Sequence, residues 1–342
     1  MRRILLFAVL LLAASGAIAA TPYYLDRAGI LWSATASPEG LLLIGEREDE
    51  VVVTSLVPYE LGLWSTSDTE IQVVADEVTG KVVVAFQRNW GEKLSEIILA
   101  TWRDGSWERV THFTEDLATH PRNPSMTVTQ VSTNFANPGA PAVPGSDGTV
   151  TDSYVHLIWW EGGGEAQHGT YALLRLTAAD TDRSALWVWD ADSFLPLTFG
   201  CDGSPSTSTM EHPRFAEQSS RDRALVFFAS QKTCLFQLFE VRFELEELPD
   251  NDWFSQNVTA QRRRHMPIFG IKKVYGMPEG LPMQSARVLI GASLDPVAYA
   301  INGDTIQYVV ATGSEWSAPR TLKIRPGLTL DRAIPLIENL AR

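Results

Sequence analysis

An apolar run rich in valine and leucine, a short polar turn and a second apolar run recur five times along the chain after residue 20. The first runs read GLLLIGE (40–46), KVVVAFQ (81–87), YVHLIWW (154–160), RALVFFA (223–229) and RVLIGAS (287–293). Their partners read EVVVTSL (50–56), EIILATW (96–102), GTYALLRL (169–176), LFQLFEV (235–241) and TIQYVVA (305–311). The runs are short, β-branched or aromatic, and bounded by Gly, Asp, Asn and Pro, which reads as strands and turns. Thr79-Gly80, Asp104-Gly105 and Asn302-Gly303-Asp304 supply the turn chemistry that hairpins need. The body of the chain shows no convincing helical periodicity.

A repeated hairpin cannot bury its own faces and must stack against copies of itself. The pattern therefore predicts an all-β fold, a β-propeller of four-stranded antiparallel sheets. The count is five blades; a degenerate blade, or closure through the termini, would make six. In the second unit the four strands read EIQVVAD (70–76), KVVVAFQ (81–87), EIILATW (96–102) and WERVTHF (107–113). The inner strand of the third unit is expected at PSMTVTQ (124–130) and that of the fifth at PIFGIKK (267–273), with WSAPRTLKI (316–324) outermost. The first unit takes ILWSATA (30–36) as its inner strand and LGLWS (61–65) as its fourth. Copies recur at forty to seventy residues, longer than the usual period of ~40–50. Insertions at 132–152, 177–209 and 273–285 account for the excess; the first is rich in Pro, Gly, Ser and Thr.

The first nineteen residues carry a basic start (Arg2, Arg3), an apolar stretch from Ile4 to Ala14 and a small-x-small site at Ala17-Ile18-Ala19. These are the parts of a signal peptide. Its apolar run is shorter than the ~20 residues a membrane-spanning helix needs. The expected product is a single domain over 20–342, secreted or periplasmic, with no membrane span after cleavage. Loss of Arg2 and Arg3 takes the formal charge from −13 to −15. An acidic chain with no basic stripe argues against nucleic acid or anionic lipid as partner. Export also gives Cys201 and Cys234 a meaning: two thiols in an oxidising compartment pair. The bridge would clip a long loop onto the fourth unit and contribute about 3 kcal/mol; two buried free thiols are the alternative.

Residues 70–110 carry a resemblance. Asp76 to Gly80 form an Asp-x-x-x-Gly turn, Phe86 and Trp102 end apolar strands, and Gly105 with Trp107 opens an outer strand. HPRNPSMTV (120–128) with VHLIWWE (155–161) repeats the theme, and GSEWSAPRTL (313–322) repeats the outer strand. This pattern resembles the sialidase-like, BNR-type β-propellers of secreted bacterial proteins and spans most of the chain after the leader. The full Asp-box is absent, with only Asp104-Gly105-Ser106-Trp107 in its place. The Arg-Ile-Pro element of true sialidases and a recognisable Tyr–Glu nucleophile pair are absent too. The resemblance therefore implies the fold without the catalytic motifs.

In a propeller, ligands bind at the axial mouth. On this strand alignment His120, His212 and His265 lie at loops entering inner strands, each near an arginine: Arg122, Arg214 and Arg264. Guanidinium groups converging there would bind a carboxylate or phosphate, and three imidazoles could hold zinc or iron. Descent of the blades from one ancestor would explain the same residues without any ligand. Acidic candidates near the mouth are Asp26, Asp68, Glu70 and Glu211; glycoside hydrolysis needs two carboxylates, and these four form no matching motif. Asp180 with Asp182, Asp190 with Asp192 and Asp250 with Asp252 make oxygen-rich turns suited to calcium, but none completes a DxDxDG loop. No cofactor is expected. Trp187 and Trp189 share a strand face at period two and are the better candidates for an exposed pair. The leading reading is a non-catalytic propeller that binds a glycan or a partner protein; the alternative is a divergent glycoside hydrolase or lyase.

Overall fold

The computed structural model describes residues 23–26, 28–37, 40–48, 50–56, 67–91, 94–113, 120–134, 148–161, 168–178, 185–190, 198–199, 205–206, 214–215, 217–218, 224–230, 235–247, 263–276, 280–281, 287–290, 295–302 and 305–323. Successive strands pair antiparallel with their chain neighbours. The first blade is β1 (Tyr23–Leu25), β2 (Leu31–Ser37), β3 (Gly40–Arg47) and β4 (Glu50–Leu56). The second is β5 (Ser67–Asp76), β6 (Lys81–Gly91), β7 (Leu94–Arg103) and β8 (Ser106–Phe113). The third is β9 (Arg122–Asn134), β10 (Thr149–Glu161), β11 (His168–Arg175) and β12 (Leu186–Asp190). A two-stranded pair, β13 (Thr198–Phe199) and β14 (Pro205–Ser206), follows.

The fourth blade is β15 (Arg214–Phe215), β17 (Ala224–Ser230), β18 (Leu235–Glu247) and β19 (Arg263–Gly276). Between its first two strands β16 (Glu217–Gln218) crosses over and pairs parallel with β20 (Arg287–Ile290) of the next sheet. That sheet continues through β21 (Pro296–Asn302) and β22 (Thr305–Thr312), which is flanked by β23 (Glu315–Trp316) and β24 (Arg320–Lys323). First strands of neighbouring blades adjoin one another: β1 with β5, β5 with β9, β9 with β15. Four-stranded meanders set side by side along their first strands make a β-propeller.

Alternation along the strands explains the packing. On β7, Ile98, Ala100 and Trp102 join the cluster shared with the first blade, while Ile97 and Leu99 join the one shared with the third. On β10, Val155, Leu157 and Trp159 face the second blade, and Tyr154 and Ile158 face the fourth. A blade covered on both sides needs apolar residues at both phases, which is why these strands read as continuous apolar runs. Trp32 is fixed on three counts. Its Nε1 donates to Asp26 Oδ2 at 2.8 Å, its ring lies 5.6 Å from that of Trp102, and Gly45 lies beneath it. A Cβ at Gly45 would sit 2.9 Å from the indole Cζ3 and 3.2 Å from Ile30 Cγ2. Gly45→Ala is therefore expected to cost about 1–3 kcal/mol by overpacking, read as a lower urea midpoint.

Three strand assignments need correction. In the first blade YYL, too short to carry a pattern, takes the innermost place, so ILWSATA moves to second and GLLLIGE to third; residues 61–65 lie outside the described residues. PIFGIKK is not an inner strand of the fifth unit. It belongs to β19, the outermost strand of the fourth blade, paired with β18 from Gly276 back to Arg263. RVLI pairs with Pro296–Asn302 and not with TIQYVVA, which is one strand further out. The segment 177–209 is not all insertion, because β12 completes the third blade within it. The flanks of 132–152 are paired strand, Thr149 opposite Asn134. The leader, Cys201, Cys234 and the chain after Lys323 fall outside the described residues.

Candidate functional site

In a four-stranded meander the start of the first strand, the hairpin between the second and third, and the end of the fourth share one end. At this mouth end the second and third blades depart from regular geometry in three places. On β5 the register steps from Thr69–Gln87 to Gln72–Ala85, leaving one extra residue, and Glu70 has φ 51°. On β9 it steps from Arg122–Trp160 to Ser125–Ile158, and Asn123 has φ 53°. On β6 it steps from Asn89–Ser95 to Gly91–Leu94, and Trp90 is the extra residue. His120, just ahead of β9, is also left-handed at φ 51°. Glu48 and Asp104 share that conformation, but at the tight turns joining third to fourth strands, where the turn itself requires it. Glu70 and Asn123 take it at the bulges of β5 and β9, and His120 takes it just ahead of β9, none of them at a hairpin turn. A left-handed residue with a Cβ costs of order 1 kcal/mol, and bulges re-aim side chains beside functional sites.

The same end holds a polar network. Asn123 N donates to Gln87 Oε1 (3.3 Å), Gln87 Nε2 donates to Asn89 Oδ1 (2.7 Å), and Asn89 Nδ2 donates to Thr69 Oγ1 (3.1 Å). It ties the innermost strands of two blades to a hairpin. On the other face of the sheet, Glu96 of β7 is 2% exposed and its carboxyl is held on both oxygens. Trp90 Nε1 donates to Oε1 at 3.0 Å, and His112 Nδ1 lies 3.2 Å from Oε2. Arg88, 5% exposed, stands opposite Glu96 in the register, its guanidinium carbon 5.3 Å from the Phe86 ring centroid. In the third blade Arg122 lies over the Trp160 ring at 6.0 Å, and Trp159 Nε1 donates to Glu161 Oε1. The arrangement is a set of planar groups, indole, imidazole, amide and guanidinium, immobilised at one end of two adjacent blades.

Of the residues singled out in the sequence, the structure brings His120 and Arg122 to this end, both half-buried. Arg214 lies in β15, the innermost strand of the fourth blade, paired with Phe227; His212 is outside the described residues. Arg264 and His265 open β19, opposite Glu246 and Leu245. They stand on an outermost strand at the end away from the mouth, so this pair does not lie beside His120 and Arg122. Asp26 follows β1 at that far end. Its Oδ1 accepts from Ile30 N at 2.8 Å and its Oδ2 from Trp32, which makes it a turn residue. Asp68 and Glu70 lie on β5 near the mouth, and Glu211 is outside the described residues. Trp187 packs on the cluster between the third and fourth blades instead of standing exposed. Among the described residues no group of three or more His, Cys, Asp or Glu is arranged to hold a metal.

Sequence reading missed Trp90, Glu96 and His112. The available signal was a tryptophan followed by glycine, Trp90-Gly91, at a hairpin where the apolar run had already ended.

A second polar network lies inside the third blade, away from the mouth. His156 is fully enclosed, Nε2 at 2.6 Å from Thr129 Oγ1 and Nδ1 at 2.7 Å from Tyr171 Oη, with the Phe215 ring centroid 5.9 Å away. Burial pushes the imidazole down to about 3 and the Tyr171 phenol well above its ordinary value. Such a group bonds three strands together as a neutral link.

The fold and this end together define a β-propeller with a structured mouth. No family model and no curated protein matches the chain. Among solved structures it is similar to the subtype N11 neuraminidase-like protein of A/flat-faced bat/Peru/033/2010 (H18N11), at 8% identity over 85% of this chain and 67% of that one, TM-score 0.37. It is also similar to streptogramin B lyase, at 9% identity over 90% of this chain and 69% of that one, TM-score 0.35. Both are β-propellers.

Proposed function

We propose that this chain is an exported, non-catalytic five-bladed propeller that binds a glycan or a partner protein at the mouth end of its blades. The observation that carries the reading is the meeting there of three bulges, left-handed Glu70, His120 and Asn123, and a hydrogen-bonded set of polar side chains. Strain of this kind persists where the surroundings over-determine it, and such places are commonly ligand sites. The groups already share hydrogen bonds, so the surface is preorganised and little side-chain freedom is lost on binding.

The test is a glycan array probed with purified residues 20–342, repeated with Arg122→Ala. Arg122 lies over Trp160 at the start of an inner strand. Removing it is expected to weaken captured glycans about tenfold, the usual scale of a well-placed contact. The same incubations followed by product analysis separate binding from turnover. Released sugar would overturn the non-catalytic part of the reading. Unchanged binding by the variant would move the site away from the mouth.

A further inference from the structure

We infer that Trp90 is a fixed stacking platform for a pyranose ring, with Glu96 as the residue that positions it; the inference rests on the mouth-binding reading and names the ligand chemistry there. Glu96 is enclosed, and a carboxyl in such a place is costly unless its oxygens are occupied. The groups that occupy them are the indole N–H of Trp90 and the imidazole of His112. The hydrogen bond leaves the indole one orientation. The bulge takes Trp90 out of the regular ladder at the hairpin end of the face that carries Phe86, Ile98 and Glu96. Trp90 stays half-buried at the hairpin, and the next residue across the turn, Leu94, is exposed.

A half-open indole locked by a buried carboxyl, at a hairpin end that also carries exposed Leu94 and the amide of Asn89, has the two chemistries a sugar needs. The flat face meets the axial C–H surface of a pyranose, and the planar polar groups meet its equatorial hydroxyls in pairs. Polymers whose hydroxyls are all equatorial, the β-1,4-linked glucose and N-acetylglucosamine chains, present the flattest such face. Locking the ring beforehand removes the rotamer cost of stacking.

Isothermal titration of residues 20–342 with cellohexaose and with chitohexaose tests this, on wild type, Trp90→Ala, Trp90→Phe and Glu96→Gln, with urea midpoints recorded for each. The expected result is saturable binding of at least one hexamer by wild type. Trp90→Ala should then bind about tenfold or more weakly, the scale of ring stacking. Trp90→Phe should keep most of the affinity, because a ring remains. Glu96→Gln should fall between them with its midpoint little changed, because the amide still offers one acceptor. Binding by Trp90→Ala equal to wild type overturns the platform while leaving a mouth ligand in place. Wild type that binds neither hexamer overturns the pyranose assignment, and the mouth reading is then judged on the array with Arg122→Ala alone. If Trp90→Ala loses its midpoint, Trp90→Phe and Glu96→Gln decide: the platform is overturned if both bind as tightly as wild type.

Discussion

Asp76→Ala is expected to lower the stability of the protein by about 3–4 kcal/mol, the scale of a broken enclosed hydrogen-bond network. The carboxyl is 1% exposed and accepts four hydrogen bonds. Oδ2 takes Thr79 N at 2.9 Å and Thr79 Oγ1 at 2.6 Å, closing the turn between β5 and β6. Oδ1 takes Gln130 Nε2 at 3.1 Å and Ser153 Oγ at 3.0 Å, from β9 and β10 of the next blade. One side chain thus shapes a hairpin and bolts it to its neighbour. Alanine removes both functions and strands enclosed donors. Asp76→Asn keeps the volume but points an N–H₂ at one of the two donor pairs, so it should recover less than half of the loss. Urea unfolding followed by tryptophan fluorescence checks both variants. A midpoint for Asp76→Ala close to wild type would mean that water or a shifted turn satisfies those donors, and that the blades are held by apolar packing alone.

That residue also shows what the sequence could and could not reveal. The Asp-x-x-x-Gly turn was visible at 76–80, and its resemblance to propeller turns pointed to the fold. The partners, 54 and 77 residues away, follow only from the stacking of one blade on another. The second and third blades were legible because their strands are long and buried at both phases. The first blade and the sheet that follows the fourth were not, for a physical reason: an apolar run of four to seven residues fits any of the four places in a blade. YYL was too short to register, and PVAYAIN begins with a proline that reads as a turn. The fourteen-residue β19 then supplied a ready-made but wrong inner strand. The error propagated to the site, since Arg264 and His265 were grouped with His120 and Arg122 only through that alignment. The bulges and left-handed residues that mark the mouth leave almost no trace in composition. Glu70 and Asn123 stand where glycine would be the signal, which hides the very positions that matter.

The enclosed histidine sets the second large effect, a loss of stability on mild acidification. With the imidazole of His156 held down to about 3 in the folded chain against 6.5 when exposed, the folded state keeps it neutral. Above pH 6.5 neither state binds the proton and the full stability is present. Between 6.5 and about 3 the unfolded chain binds a proton that the folded chain does not, so stability falls as pH falls. The contribution is roughly 1 kcal/mol per pH unit across that window. Thr129 and Tyr171 hydrogen-bond the ring, and neither supplies a charge that would offset an imidazolium. Carboxyl groups elsewhere titrate in the same range, so the informative quantity is the difference between wild type and His156→Gln. Glutamine offers a donor and an acceptor to the same two hydroxyls and has no proton to gain. At pH 7 the variant should be the less stable, through imperfect packing. As the pH falls from 6.5 to 4 the gap should close by one to a few kcal/mol and then reverse, by the same linkage. Urea midpoints of both proteins at pH 7, 6, 5 and 4 measure it. A gap that stays constant across the series would mean that the folded protein admits the proton, and that the link between β9, β10 and β11 survives with a charged imidazole at its centre.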